Sequence, residues 1–228
     1  MTICIIPARG GSKRIKNKNI KKINGVPLIG AVIKLAKQSK IFKRVIVSTD
    51  SEKISKIAKT YGAEVPFLRN KKLSNDYTPV YKVLVDTVKK LKLKDEYIFC
   101  IYPTAIFIKK LQLIESFKKI KKTKANQICP IYKNAPNPLR SFKMQGKYIK
   151  YFLPKYQMKR SQDLPSIYTD AGTFIIYRRS ALLKIRFNSL MPSKTTYYML
   201  KSNLGVDINT MDDFKKAKQL YTIKKKIN

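Results

Sequence analysis

The sequence has no histidine and few acidic residues. None of its 228 residues is histidine, and only 13 are Asp or Glu, against 50 Lys and Arg. The absence of histidine excludes imidazole general acid–base catalysis, Ser-His and Cys-His nucleophile pairs, and His-ligated metal sites. Any chemistry must therefore rely on carboxylates, cations, hydroxyls or a hard metal ion.

Long apolar segments and closely spaced cysteines are also lacking. No apolar run approaches the ~20 residues that cross a bilayer, and the N-terminal residues lack the basic, apolar and small-residue order of a signal peptide. Cys4, Cys100 and Cys129 lie far apart, in or beside apolar runs, without C-x-x-C spacing. We therefore expect a cytoplasmic protein with buried free thiols and no membrane partner.

The net charge of +37 raises the question of a nucleic-acid partner. Clustered cations bind phosphate backbones through counterion release. Here the cations are spread along the whole chain, and most are Lys rather than Arg, whose forked guanidinium is the usual reader of bases and phosphates. We therefore predict no nucleic-acid partner.

Apolar runs alternate with segments of helical periodicity along most of the chain. The predicted strands cover residues 2–6, 44–48, 64–68, 97–102, 127–132, 172–177 and 204–208. The predicted helices cover 27–38, 51–61, 80–91, 109–121 and 210–221, with Asp50 or Ser51 capping the second and Thr210 the last. This alternation predicts an α/β fold with a mostly parallel central sheet flanked by helices. Ligands of such sheets bind beyond the carboxyl ends of the strands.

Residues 136–165 interrupt the alternation. The segment is rich in proline and aromatic residues, and residues 142–152 predict a hairpin around Gln145-Gly146. Its apolar side chains would be costly to expose on a monomer. We predict a single domain over residues 1–228 that carries a dimerisation arm at 136–165 and forms a homodimer.

The stretch "IIPARGGSKRIKNKNI" follows the first predicted strand. Gly10 and Gly11 allow close approach of the backbone to a ligand and positive φ values, and consecutive N–H groups can form an anion-binding nest. Cations surround the glycines: Arg9, Lys13, Arg14, Lys16 and Lys18. The stretch matches neither the P-loop nor the dinucleotide fingerprint. It favours a polyphosphate ligand over the alternative, a solvated loop.

Several motifs together resemble those of the CMP-sugar synthetases. These are "IPARGGSKRIKNKNI", "GVPLI", "RVIVSTD", "YGAEVPFLR", "YPTA", "RSQDLPSIYTDAGTF" and "VDINTMDDF", in this order over nearly the whole chain. Within that family the chain is most similar to the pseudaminic acid cytidylyltransferases. The resemblance implies a Rossmann-like nucleotidyltransferase fold and a reaction that joins CTP to a nonulosonic acid, releasing pyrophosphate.

The resemblance also implies roles for particular residues. The residues expected to bind the nucleotide are Ala8, Arg9, Gly10, Gly11, Ser12, Lys18, Asn19 and Arg69. The residues expected to bind the sugar are Tyr102, Thr104, Arg140, Arg160, Gln162, Asp163, Asp170 and Gly172. The expected catalytic residues are Arg9, Lys18 and Asp207, with Lys18 neutralising charge on the departing pyrophosphate.

Structural alternatives exist for four of these residues. Arg69 could form a surface ion pair, and Tyr102 could belong to the core. Asp163 and Asp170 could each cap a turn.

A magnesium site is expected at Asp207 and Asn209. The family commonly ends its last strand with D-I-D-T, whose two carboxylates lie on one side of the strand and hold Mg²⁺ between phosphate oxygens. This chain has Asp207-Ile208-Asn209-Thr210. Asn209 offers a neutral oxygen, so we expect weaker Mg²⁺ binding than two carboxylates would give.

Three hypotheses about function follow. The first is a CMP-pseudaminate-type synthetase. The second is a cytidylyltransferase for another nonulosonate or for 3-deoxy-octulosonate, because Ile106 and Thr169 also depart from the family pattern near the expected sugar site. The third is a catalytically weakened homologue that binds nucleotide, which Asn209 keeps open.

Overall fold

The computed structural model describes residues 2–186, 191–201 and 208–227. Its strands are β1 Thr2–Pro7, β2 Lys22–Ile23, β3 Val26–Pro27, β4 Arg44–Ser48, β5 Tyr97–Ile101, β6 Gln127–Lys133, β7 Phe142–Gln145, β8 Tyr148–Tyr151, β9 Tyr168–Asp170, β10 Phe174–Arg178 and β11 Thr195–Met199. Its helices are α1 Leu28–Gln38, α2 Glu52–Thr60, α3 Val80–Lys90, α4 Lys110–Thr123, α5 Arg179–Leu182 and α6 Met211–Ile227.

One sheet organises the described residues. Its strand order is β11-β6-β10-β5-β1-β4, and β9 pairs with β6 beyond Ile131. Strands β1, β4, β5, β6 and β11 run in one direction, while β10 and β9 run against it. The predicted mostly parallel sheet is confirmed. Because β10 is reversed, its amino end lies at the same sheet edge as the carboxyl ends of β1, β4 and β5.

Helices cover both faces of the sheet. Successive side chains of a strand point to opposite faces, so Cys4 and Ile6 of β1 enter one apolar cluster, whereas Ile3 and Ile5 enter another. The first cluster contains buried side chains of α1, α2 and α4, and the second contains those of α3 and α5. This two-sided burial explains why the central strands are continuous apolar runs rather than alternating ones.

A third apolar cluster anchors the segments beside the carboxyl edge of the sheet. It joins Ile15 of the opening loop to Phe107, Ile208 and Phe214. Helix α6 begins as predicted, because Thr210 Oγ1 accepts a hydrogen bond from Asp213 N–H and Asp213 Oδ2 accepts one from Thr210 N–H. The cluster therefore fixes the opening loop against the start of α6.

Most predicted elements are confirmed within a few residues, one is wrong, and one open alternative is decided. Residues 64–68 form no strand: they make only two isolated bridges, Ile46 with Glu64 and Thr49 with Leu68. The second helix is capped by Ser51, whose Oγ accepts from Ile54 N–H, and not by Asp50. Of the predicted strand at 204–208, residues 204–207 lie outside the described part of the chain.

The predicted hairpin at 142–152 is confirmed as β7 and β8. Its apolar side chains are largely exposed, with Met144 84% and Tyr148 66% accessible.

The three cysteines are buried free thiols, as expected, and burial raises the pKa of Cys129 to about 12. No helix in the described ranges is long and apolar enough to cross a bilayer.

Candidate active site

A cavity of about 470 Å³ opens at the carboxyl edge of the sheet. The loop after β1 lines it, together with the segment from Arg69 to Val83, the residues after β5, and Gly172 before β10. Asn209, before α6, completes the lining. The position agrees with the rule that ligands of open α/β sheets bind beyond the carboxyl ends of the strands.

The opening loop is held in place by hydrogen bonds to distant residues. Asn19 is buried, and its Nδ2 donates to Arg9 O at 2.9 Å, which closes the loop on itself. Lys18 Nζ donates to Ile208 O at 2.8 Å, and the Arg14 guanidinium donates to Asn209 Oδ1 at 2.8 Å. Two cations of the loop therefore reach the segment before α6 across the edge of the cavity.

The two glycines of the loop behave differently from the prediction. Neither has a positive φ, and Gly10 N–H donates to Asp50 Oδ1 at 2.9 Å instead of pointing to a ligand. A Cβ on Gly10 would lie 3.0 Å from Ser51 Cβ, whereas a Cβ on Gly11 would meet nothing within 4 Å. Gly10 is therefore required by close packing against the start of α2, and the expected nest through its N–H is absent.

This contrast predicts different outcomes for two matched substitutions. Gly10→Ala should push the loop away from Ser51 and raise the KM for CTP about tenfold, since overpacking a close contact costs about 1–3 kcal/mol. Gly11→Ala, one residue away, should keep the parental KM because its Cβ has room. Steady-state kinetics with varied CTP measures both, and equal KM values for the two variants would contradict the packing argument.

Arg69 is a nearly inaccessible cation in the wall of the cavity. Its side chain is 3% accessible, and its Nε donates to Ser74 Oγ at 3.0 Å. Its NH1 donates to Ser48 O at 3.4 Å, and Asp50 Oδ1 lies 3.8 Å from NH2. Burial lowers the pKa of Arg69, and Asp50 opposes that shift. The alternative of a surface ion pair is therefore wrong: Arg69 joins β4 to the loop at 70–78.

Asp76 is a site residue that sequence reasoning missed. Its Oδ1 lies 2.5 Å from the Arg9 guanidinium, and its Oδ2 lies 2.7 Å from Lys13 Nζ. Hydrogen bonds from Lys13 and Arg9 hold the pKa of the Asp76 carboxyl below its usual range. Only its place in the polar stretch "LSNDYTPV" could have drawn attention to it, because the partners lie more than 60 positions away.

The predicted nucleotide residues divide into two groups. Arg9, Ser12, Lys18, Asn19 and Arg69 line the cavity. Ala8 is fully buried in the core instead, and Gly10 and Gly11 are not among the lining residues.

The predicted sugar residues also divide. Tyr102, Thr104 and Gly172 line the cavity, and burial raises the pKa of the Tyr102 phenol well above its usual value. The others do not line it: Arg140, Arg160, Gln162, Asp163 and Asp170. Four of these five belong to the exposed excursion, where Arg160 pairs with Asp163 at 2.7 Å. Asp170 Oδ1 accepts from Gly172 N–H at 2.9 Å, so the alternative of a turn cap fits Asp170.

The predicted metal ligands are only partly described. Asn209 lines the cavity, whereas Asp207 lies outside the described residues. Over residues 2–186, 191–201 and 208–227, no three acidic or cysteine side chains cluster as metal ligands. One amide oxygen fits a Mg²⁺ ion held mainly by phosphate oxygens and waters, although proteins usually supply one or two carboxylates to this ion. It does not fit a closed cage of protein ligands.

The charge of the cavity is strongly one-sided. Among the described residues that line it are five cations, Arg9, Lys13, Arg14, Lys18 and Arg69, and one acid, Asp76. A concave site with this balance concentrates anions and stabilises several phosphate charges at once.

The sequence of this chain matches a known protein family over almost its whole length. A family described as cytidylyltransferase matches residues 3–226. The chain belongs to the cytidylyltransferase family. A curated member, the pseudaminic acid cytidylyltransferase of Campylobacter jejuni serotype O:2, is 35% identical over 225 residues, which cover 97% of this chain and 96% of the relative.

Two further proteins are similar to this cytidylyltransferase, one in sequence and one in structure. The CMP-N,N'-diacetyllegionaminic acid synthase of the same organism is 49% identical over 86 residues, 38% of this chain and 37% of that protein. The solved structure of CMP:2-keto-3-deoxy-manno-octonic acid synthetase, complexed with CTP, superposes with a TM-score of 0.75 at 16% identity, covering 98% and 99% of the two chains. The structural likeness confirms the nucleotidyltransferase fold of this family member.

Proposed function

We propose that this cytidylyltransferase transfers CMP from CTP to a nonulosonic acid, with pseudaminic acid as the favoured sugar. The observation that carries the proposal is the cavity at the carboxyl edge of the sheet, whose lining includes five cations and one acid. A triphosphate is the ligand such a site suits. The sugar is suggested by the near full-length likeness to a pseudaminic acid cytidylyltransferase.

The proposed reaction is a direct displacement at phosphorus. The anomeric hydroxyl oxygen of the sugar forms a bond to the α-phosphorus of CTP, the bond from that phosphorus to the bridging oxygen of the β-phosphate breaks, and the hydroxyl proton passes to solvent. The products are CMP-sugar and pyrophosphate. No step needs histidine, which the chain lacks. Catalysis of this kind depends on positioning and on stabilising phosphate charge.

The cavity supplies groups for both tasks. Lys18 and Arg14 lie on the side of Asn209 and would bind phosphate oxygens, with Lys18 neutralising the charge that develops on pyrophosphate. Tyr102 and Thr104 follow β5 and, together with Gly172, line the cavity in the region proposed for the sugar. Arg69 has a supporting role, because its side chain is nearly inaccessible and positions Asp50 and Ser74.

We propose Mg²⁺ as the cofactor, bound by Asn209 and, from the sequence motif, by Asp207. When bound, Mg²⁺ would neutralise phosphate charge and orient the triphosphate. Asn209 Oδ1 already accepts a hydrogen bond from Arg14. A Mg²⁺ ion bound at this oxygen would therefore have to share it with the Arg14 guanidinium.

Pyrophosphate release tests the proposed function. CTP and Mg²⁺ are supplied with pseudaminic acid, with the legionaminic acid analogue, with N-acetylneuraminic acid or with 3-deoxy-octulosonate. We expect release with pseudaminic acid and its loss on adding EDTA. Release with another of these sugars would favour the second hypothesis, to which the legionaminic relative points. If the protein binds CTP but releases no pyrophosphate with any of these sugars, the result would support the catalytically weakened homologue. Pyrophosphate release in the presence of EDTA would refute the Mg²⁺ proposal.

We also propose that residues 136–165 form a dimerisation arm. Apolar side chains on and beside the β7–β8 hairpin are more than half exposed: Phe142, Met144, Tyr148, Ile149, Phe152 and Met158. Exposed apolar side chains concentrated in one segment are typical of interaction surfaces. Light scattering of the purified protein should give twice the chain mass of 26.4 kDa. A monomer mass would refute the proposed role of the arm. Cytoplasmic location and the absence of nucleic-acid and membrane partners stay predictions from the sequence.

A further inference from the structure

Asp76 lies where an anionic ligand of the cavity would be expected. Its two carboxylate oxygens contact two different cations, Arg9 at 2.5 Å and Lys13 at 2.7 Å. Both cations line the cavity, and Asp76 is its one acidic lining residue in the described part of the chain. A carboxylate bound to two cations reproduces the contacts that a phosphate group would make with them.

The loop that carries Asp76 is folded by its own hydrogen bonds. Asn75 Nδ2 donates to Lys72 O at 2.9 Å, and Asn75 Oδ1 accepts from Thr78 Oγ1 at 2.9 Å. On the other side of Asp76, Tyr77 is 92% exposed. The carboxylate is therefore presented by a preformed turn, and exchanging its partners needs a movement of one side chain rather than unfolding of the loop.

Asp76 is charged at neutral pH and within reach of solvent. Hydrogen bonds from Lys13 and Arg9 lower the pKa of its carboxyl, and the side chain is 30% accessible. Lys13 is 81% accessible. Ion pairs at this level of exposure are weak and exchange readily. A multiply charged ligand can displace the carboxylate, since it brings further contacts to other cations of the cavity.

We propose that Asp76 is an internal competitor of the ligand, an anion that occupies Arg9 and Lys13 until a polyphosphate replaces it. A small anion that binds only Arg9 and Lys13 gains two contacts but breaks the two ion pairs of Asp76. Its net gain is therefore small, and it binds poorly. A triphosphate also reaches Lys18 and Arg14 and offsets the exchange. Asp76 thus weakens the binding of every anion that uses these two cations, and a ligand binds well only if it also reaches other cations of the cavity. The inference rests on the proposed function only in taking a polyphosphate as the ligand.

Anion binding tests the proposal without any turnover. Isothermal titration calorimetry measures the Kd of tripolyphosphate and of inorganic phosphate for the whole protein, with no CTP, sugar or Mg²⁺ present. Asp76→Asn and Asp76→Ser should each bind both anions about three- to tenfold more tightly, the effect expected for removing two competing exposed ion pairs. Asp76→Glu keeps the charge and should stay near the parental affinity.

A second substitution controls for net charge. Asp95→Asn removes one negative charge just before β5, at the sheet edge opposite the cavity, and should leave both Kd values unchanged. Unchanged or weaker binding in both neutral Asp76 variants would overturn the proposal, as would equal tightening in Asp95→Asn. Failure of the proposed function would show up separately, as absent pyrophosphate release by a protein whose anion affinities still follow this pattern.

Discussion

Lys18→Met is expected to lower kcat/KM for CTP by about 10²–10³-fold, the loss typical of removing one preorganised group that stabilises transition-state charge. Methionine keeps much of the length of the side chain and removes the ammonium group. Lys18 lines the cavity from the short helix at Lys18–Ile20, and its Nζ is fixed at 2.8 Å from Ile208 O. The ammonium is therefore positioned before the ligand arrives, and in the proposed reaction this preorganisation would make its charge effective.

The same loop provides a matched control. Lys16 is exposed and does not line the cavity, so Lys16→Met removes an equal charge two residues away and should keep kcat/KM within about twofold, as expected for a surface change. Lys18→Arg should recover only part of the activity, because the planar guanidinium is wider than an ammonium group. Initial rates of pyrophosphate release at varied CTP measure all three. Similar losses in Lys16→Met and Lys18→Met would show that only overall charge matters.

The fold was largely predictable because its strongest sequence signals are local. The buried strands are apolar runs, and α1 has apolar residues at helical spacing, so both were located within a few residues. Residues 64–68 look equally strand-like, yet Pro66 has no N–H to donate to a ladder. The two isolated bridges fall on either side of it, at Glu64 and Leu68. No local pattern in the sequence indicates that β10 runs against β5 and β6.

The candidate site was predictable from residue patterns in its opening loop, whereas its distant positions came from the family resemblance, as for Arg69, Tyr102 and Gly172. The loop after β1 carries glycines and cations together, and it lines the cavity as expected. Asp50 and Asp76 enter the site through tertiary contacts to Gly10 and Arg9, and a pattern within one segment cannot show such contacts. The resemblance named Arg140 and Arg160 for the sugar, but they lie on the excursion and do not line this cavity, so those roles stay predictions.

Phe99→Ala is expected to destabilise the protein by about 3–5 kcal/mol, the range for truncating a buried aromatic side chain. Phe99 is fully buried in β5, between β1 and β10, and its ring packs edge-on against Phe42 at 4.7 Å and Phe117 at 5.7 Å between centroids. These contacts join the sheet to α4 and to the segment between α1 and β4. A cavity left there cannot close easily, because the sheet hydrogen bonds hold β5 in place.

Urea unfolding followed by circular dichroism measures the change, and Phe99→Leu is the control, since a smaller change of volume should cost less than about 1.5 kcal/mol. Activity separates stability from function. Strand β5 leads directly into Tyr102 and Thr104, but Phe99 itself faces the helices and not the cavity. Well below its melting temperature, Phe99→Ala should therefore keep its KM for CTP. A raised KM would mean that packing around β5 also sets the geometry of the residues that follow it, and a loss under 1.5 kcal/mol would mean that the surrounding helices collapse into the space.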